Sequence, residues 1–168
     1  MQLQSLHDVF VHEVQDLYDA ERQLVTALPK LAGSASHDEL RKAFEHHLEE
    51  TQDHVRRLED ILGQVGITAS GETCKAMKGL IAEGDEAVSA GGDPEVRDAA
   101  LIAAAQRVEH YEIAAYGTAR TLAGELGFDD AQDLLDQTLD EESNADKLLT
   151  KIATGGMFKA GVNQKAQD

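Results

Sequence analysis

Seven side chains of this sequence could together hold metal ions: Glu21, Glu50, His54, Glu109, Glu112, Glu142 and Asp146. Six are carboxylates and one is an imidazole. That donor set suits a hard divalent cation, iron or manganese, better than zinc or Cu(I), and it suffices for two ions. Position is what suggests a cation. Glu109 and Glu112 lie in Val108–Gly117, VEHYEIAAYG, among small apolar residues that read as helix core. A buried carboxylate is costly unless it is paired or coordinated, and two side by side force one to keep a proton.

The helices that must carry these residues repeat. One apolar stripe runs Phe10, Val14, Leu17, Glu21, Leu24, Leu28, Leu31, and a second runs Leu101, Ala105, Val108, Glu112, Ala115, Ala119, Leu122. Both alternate steps of four and three, the spacing of a buried seam. Each member of the second lies 91 positions after its partner, and each seam has one charge, at the same place. The offset also relates Phe44, Leu48, Leu58 and Ile61 to Leu135, Leu139, Leu149 and Ile152. Glu142 and Asp146 fall on the last of these seams. His47, Glu50 and His54 lie to one side of the Phe44–Leu58 seam, within reach of one edge. By the repeat, Glu141 is the counterpart of Glu50, so it stays open in place of Glu142.

Start and stop signals delimit the helices. Ser5–Asp8 opens the first, which runs to about Leu31, with Pro29 expected to kink or tighten its last turns. Ser36–Glu39, SHDE, reads as a capping box for the second, which ends at Gly63 or Gly66. A shorter helix spans about Cys74–Ser89. Asp93–Pro94 starts the next, and Asp129 or Asp130 starts the last, which stops before Gly155. The composition agrees: only two prolines, no Trp and few β-branched runs. The expected fold is therefore all-α, a ferritin-like four-helix bundle of two duplicated hairpins joined by a short crossover helix. The bundle domain is set at 1–156, with 157–168 a flexible polar C-terminal tail.

The net charge of −17 argues against nucleic acid as a partner. No apolar run approaches the roughly 18 residues of a membrane span. One cysteine, Cys74, excludes an intrachain disulfide and a cysteine-rich zinc site. The first residues, MQLQSLHDVF, lack the basic and apolar pattern of a secretory signal. A cytoplasmic protein is expected, and apolar residues around more than one helix face suggest a homodimer.

The sequence resembles the YciE/YciF family of bacterial ferritin-like stress proteins over nearly its whole length. The resemblance rests on DLYDAERQLVTALPKLA in the first helix, HLEET in the second, CKAMKGLI in the crossover, VRDAALIAAAQRVEHYEIAAYGTARTLA and QTLDEESNADKLL. It implies a fold like that of rubrerythrin-type di-iron proteins, a di-iron or related centre, a role in stress responses and frequent dimers. Glu21 matches the first-helix glutamate of such centres, and Glu109 with Glu112 matches their Glu-x-x-Glu. The pattern departs elsewhere: His54 follows Glu50 by four residues instead of three, and the last helix has no histidine.

Two functions compete. In one, the bundle binds metal and handles iron, oxygen or peroxide, as a di-iron oxidoreductase of peroxidase or ferroxidase type. In the other, it is a non-catalytic dimeric stress protein acting through a protein partner, its seam carboxylates protonated or paired with Arg22, Arg107 or Arg120. His47 is open between a supporting position and an interhelix contact. Tyr18, Tyr111 and Tyr116 read as packing residues, with Tyr111 the candidate donor to a metal-bound carboxylate.

Overall fold

A computed structural model describes residues 3–69, 73–156 and 159–167. It contains the long helices α1 (Leu6–Ser34), α2 (Asp38–Gln64), α4 (Pro94–Leu126) and α5 (Asp129–Thr154), with the shorter α3 (Lys75–Ser89) between the two pairs. Helices α1 and α2 form one hairpin, and α4 and α5 form the other. The pairs close through α1 against α4 and α2 against α5. This is the all-α bundle that the repeat predicts.

Local chemistry sets the ends. Ser5 and Asp8 cap α1 reciprocally, as a capping box does. α1 continues through Pro29 to Ser34. The Asp93 carboxylate accepts from the amides of Glu95 and Val96, and Pro94 fills a first-turn position where no amide donor is needed. Gly127 stops α4 at φ 72°, a conformation open to glycine without steric cost.

The capping box read at Ser36–Glu39 does not form. Ser36 instead gives its amide and hydroxyl to Asp98 of α4, at 2.9 and 2.6 Å, and the His37 amide donates to the same carboxylate at 2.7 Å. Glu39 pairs with Lys159. A buried aspartate from the other hairpin thus satisfies the start of α2, and α2 begins one residue later than its sequence suggests.

Helix α3 straps α1 to α4. The Cys74 amide donates to Asp19 at 2.7 Å, and Gln23 donates to the Cys74 carbonyl at 3.1 Å. Of the segment expected as a flexible polar tail, 157–168, the described residues 159–167 also pack, and the remainder lies outside the described residues. Gly155–Gly156 (β1) pairs antiparallel with Lys159–Ala160 (β2), a single turn follows as α6 (Val162–Lys165), and Val162 is buried in the core. One aliphatic side chain fitted against α4 and α5 is what the polar composition hid.

Apolar packing divides into two clusters. One, around Leu24, Leu28, Leu40, Phe44, Leu101 and Leu149, fills one end. The other, around Phe10, Leu17, Leu58, Ile61, Tyr116 and Leu135, fills the opposite end. Between them lies a polar layer: Glu21, His47, Thr51, His54, Glu109, Glu112, Thr138 and Glu142, all buried. Each fully buried large aliphatic contributes roughly 1.5–3 kcal/mol, and an ion left unpaired in the interior costs several kcal/mol. The two apolar ends therefore support a layer that could not stabilise itself.

Candidate metal centre

Every long helix contributes to this layer. α1 places Glu21 between Leu17 and Leu24 on its seam. α2 places His47 and His54 two turns apart on one face. α4 places Glu109 and Glu112 one turn apart, and α5 places Glu142. Two sets of donor atoms result, each within 4.8 Å of one another: His47, Glu109, Glu112 and Glu142, and Glu21, His54 and Glu142. Glu142 belongs to both.

The contacts explain the sharing. His47 Nε2 lies 3.6 Å from Glu142 Oε2 and 3.5 Å from Glu109 Oε2. His54 Nδ1 lies 3.0 Å from Glu142 Oε1 and 3.4 Å from Glu21 Oε1. These are near enough for charge attraction, but none of the four aligns as a hydrogen bond. Nine buried nitrogen and oxygen atoms of Glu21, His47, His54, Glu109, Glu112 and Glu142 have no hydrogen-bond partner in the protein. Buried polar atoms are nearly always satisfied, so nine at one point call for a shared partner. A cation with oxygen and imidazole ligands fits that demand.

Protonation follows from the crowding. Burial alone would lower both histidines, but the neighbouring carboxylates outweigh it and hold His47 up at about 10 and His54 at about 11. Burial likewise resists ionisation of Glu142, yet the two imidazolium charges hold its carboxyl down at about 2. Glu109 and Glu112 are pushed well above the usual carboxylate range, first by burial and then by Glu142 and Glu21, with His47 partly offsetting this for Glu109. Without metal the crowding thus favours charge on His47, His54 and Glu142 and the acid form of Glu109 and Glu112.

The surroundings orient the donors. His54 Nε2 meets Glu141 Oε2 at 2.9 Å, and Arg57 grips the same carboxylate, which keeps Glu141 ionised although burial opposes it. The Tyr116 hydroxyl donates to Glu21 Oε1 at 2.5 Å, and burial with the Glu21 charge pushes the phenol well above its ordinary value.

Of the seven residues chosen from the sequence, Glu21, His54, Glu109, Glu112 and Glu142 meet in this layer. Glu50 stands beside it, a quarter exposed, with Oε2 3.5 Å from His47 Nδ1. Asp146 lies outside, held by Gln106 at 2.8 Å and His110 at 3.3 Å. Glu141 supports the layer from behind His54. His47 joins the donor set, and its spacing of seven from His54 was the available signal. The donor expected of Tyr111 is Tyr116, since Tyr111 donates to Asp16 at 2.5 Å and lies 3.1 Å from Cys74 Sγ. No arginine named for the seam reaches it: Arg22 stacks on Tyr18, Arg107 pairs with Glu83 and Arg120 with Asp136.

Among the described residues, no helix is long and apolar enough to cross a membrane. The family described as a domain of unknown function, DUF892, matches residues 5–167. The chain is 45% identical over 165 residues to Protein YciF of Escherichia coli K12, covering 98% of this chain and 99% of that protein. The crystal structure of the E. coli stress protein YciF superposes with a TM-score of 0.86 at 47% identity, over 89% of this chain and 94% of the other. YcfI from Rhodopseudomonas palustris superposes with a TM-score of 0.87 at 42% identity, over 90% and 97%.

Proposed function

The chain belongs to the DUF892 family, and from that premise we propose that it is a metal-binding stress-response protein holding two iron or manganese ions in its polar layer. The observation that carries this reading is the convergence of nine buried, unpartnered donor atoms from all four long helices. His47, Glu109, Glu112 and Glu142 would hold one ion, and Glu21, His54 and Glu142 the other. Oxygen and imidazole donors without thiolate favour iron or manganese. Iron held there would supply redox chemistry towards oxygen or peroxide, as a peroxidase or ferroxidase uses it.

The chain's own residues do the rest. The apolar clusters on either side close the two ends of the layer. The Tyr116 hydroxyl donates a hydrogen bond to Glu21 Oε1, and Glu141 fixes which nitrogen of His54 faces inward. The reading includes a cytoplasmic location and a homodimer, the latter tested by light scattering of the pure protein.

Metal analysis of protein purified from iron- and manganese-supplemented culture tests the central claim. Two equivalents in the wild type and none in Glu142→Ala are expected. No bound metal, with an unchanged melting temperature on adding Fe(II) or Mn(II), would refute it.

One observation favours a second reading. α5 supplies no histidine, and Glu142 is already neutralised by His47 and His54. The layer would then be a structural ion triplet in a protein that works through a partner. A higher melting temperature in both Glu21→Ala and Glu112→Ala, with no response to metal, would select it.

A further inference from the structure

A cavity of about 100 Å³ opens between α2 and α5 and reaches the buried layer. We propose that it is the route by which a divalent cation passes from solvent to the buried carboxylates, with Glu50 as the relay.

The route is a ladder of donors. His46 Nε2 lies 3.5 Å from Glu50 Oε1, Glu50 Oε2 lies 3.5 Å from His47 Nδ1, and His47 Nε2 lies 3.5 Å from Glu109 Oε2 and 3.6 Å from Glu142 Oε2. Side-chain exposure falls along it from 63% at His46 to 25% at Glu50, 6% at His47, 4% at Glu109 and 0% at Glu142. Glu50 is the only carboxylate of the ladder touching both water and the interior, with one oxygen turned each way. The floor carries Glu109 Oε2 and His47 Nε2, neither with a hydrogen-bond partner, so the cavity ends on two atoms of the proposed donor set.

Glu50 lies outside both donor sets of the centre, which separates it from a resident ligand. Its chemistry suits exchange: a half-hydrated carboxylate can replace one water of an arriving ion before the next donor replaces another. That avoids a step in which the ion is stripped at once, and Mg²⁺-like hard ions dehydrate reluctantly. The acidic surface, at a net −17, concentrates cations at the mouth.

This inference rests on the metal-binding reading, so the experiment separates the two. Anaerobic apoprotein is mixed with Co(II), whose visible absorption reports ligation, and release is then followed with a chelator. Glu50→Gln should slow uptake by about tenfold, one relay ligand's share of a barrier. Release should slow by the same factor, because one barrier serves both directions, while stoichiometry and Kd stay at wild-type values. Leu148→Trp, at the exposed rim of the cavity, should slow both rates in the same way by narrowing the mouth. Unchanged rates in both variants would overturn the route. Fewer ions bound by Glu50→Gln at equilibrium would overturn the relay by making Glu50 a resident ligand. A wild type that binds no Co(II), Fe(II) or Mn(II) would remove the metal-binding reading itself.

Discussion

Glu141 holds His54 from behind: its Oε2 meets Nε2 at 2.9 Å, which leaves Nδ1 facing Glu142 and Glu21. Arg57 holds Glu141 in turn, so orientation passes from a partly exposed ion pair to a buried ring. Carboxylates that support a histidine ligand typically contribute about 10–100-fold to metal affinity. Glu141→Ala should weaken Fe(II) or Mn(II) binding by about that factor, with both ions still bound at saturation. Isothermal titration of the apoprotein checks this, and an unchanged affinity would show that packing alone orients the ring.

The apoprotein should lose stability as pH rises. Raised groups stabilise the fold below their unfolded pKa and lose that contribution as pH passes through the folded value. For His47 and His54 the loss begins near 6.5 and extends to about 10 and 11. Glu109 and Glu112 are also raised, so their loss begins from 4.5. Glu142, held at about 2, has the opposite sign, but its contribution is complete once pH exceeds 4.5. Between pH 5 and 9 the melting temperature in chelator should therefore fall, and the double variant Glu109→Gln, Glu112→Gln should flatten the curve. Added Mn(II) should offset the fall, since ligands lose protons more readily as pH rises. A melting temperature that climbs across this window in chelator would contradict the assignment.

Glu112 should trade stability for binding. Both its oxygens are buried without a partner, and its ionised form is disfavoured by burial and by Glu142, Glu21 and Glu109. Glu112→Gln keeps the shape of the protonated acid and removes the option of charge. At pH 8 the apoprotein variant should melt higher, by ~2–4 °C for each kcal/mol relieved in a chain of this size. Metal-induced stabilisation should disappear with the same change. A lower melting temperature would mean that the Glu112 carboxyl makes a stabilising contact that the amide cannot replace.

The sequence revealed much of this because the fold is duplicated. A seam repeated at an offset of 91 exposes the one residue in each copy that breaks the apolar pattern, Glu21 and Glu112. Helices α2 and α5 were harder to read because their copies have diverged. The offset sets His47 against Thr138, His54 against Ala145 and Glu142 against Thr51, so no repeat marks those positions. Asp146 shows the limit of periodicity: it shares a seam with Glu142, yet one turn further on it meets Gln106 and His110 near the surface. His47 and Tyr116 were ambiguous because a histidine or tyrosine on a helix shows neither which nitrogen nor which acid it meets. Contacts across distant segments, such as Ser36 with Asp98, leave no local mark at all.

That last contact gives a test of how the hairpins are joined. Asp98 is buried and accepts three hydrogen bonds, from the Ser36 amide, the Ser36 hydroxyl and the His37 amide. Hydrogen bonds to an ionised acceptor contribute about 1.5–3 kcal/mol each, and removing the acceptor strands buried donors. Asp98→Ala should cost on the order of 3 kcal/mol or more, measured by urea unfolding. Ser36→Ala should cost about 1 kcal/mol, because both amides keep their acceptor. If SHDE acted as a capping box, the ranking would reverse: Ser36→Ala and Glu39→Ala would each be as damaging as a lost cap, about 1 kcal/mol, and Asp98→Ala would be mild. The order of these variants therefore decides whether α2 is started by its own sequence or by the hairpin that packs against it.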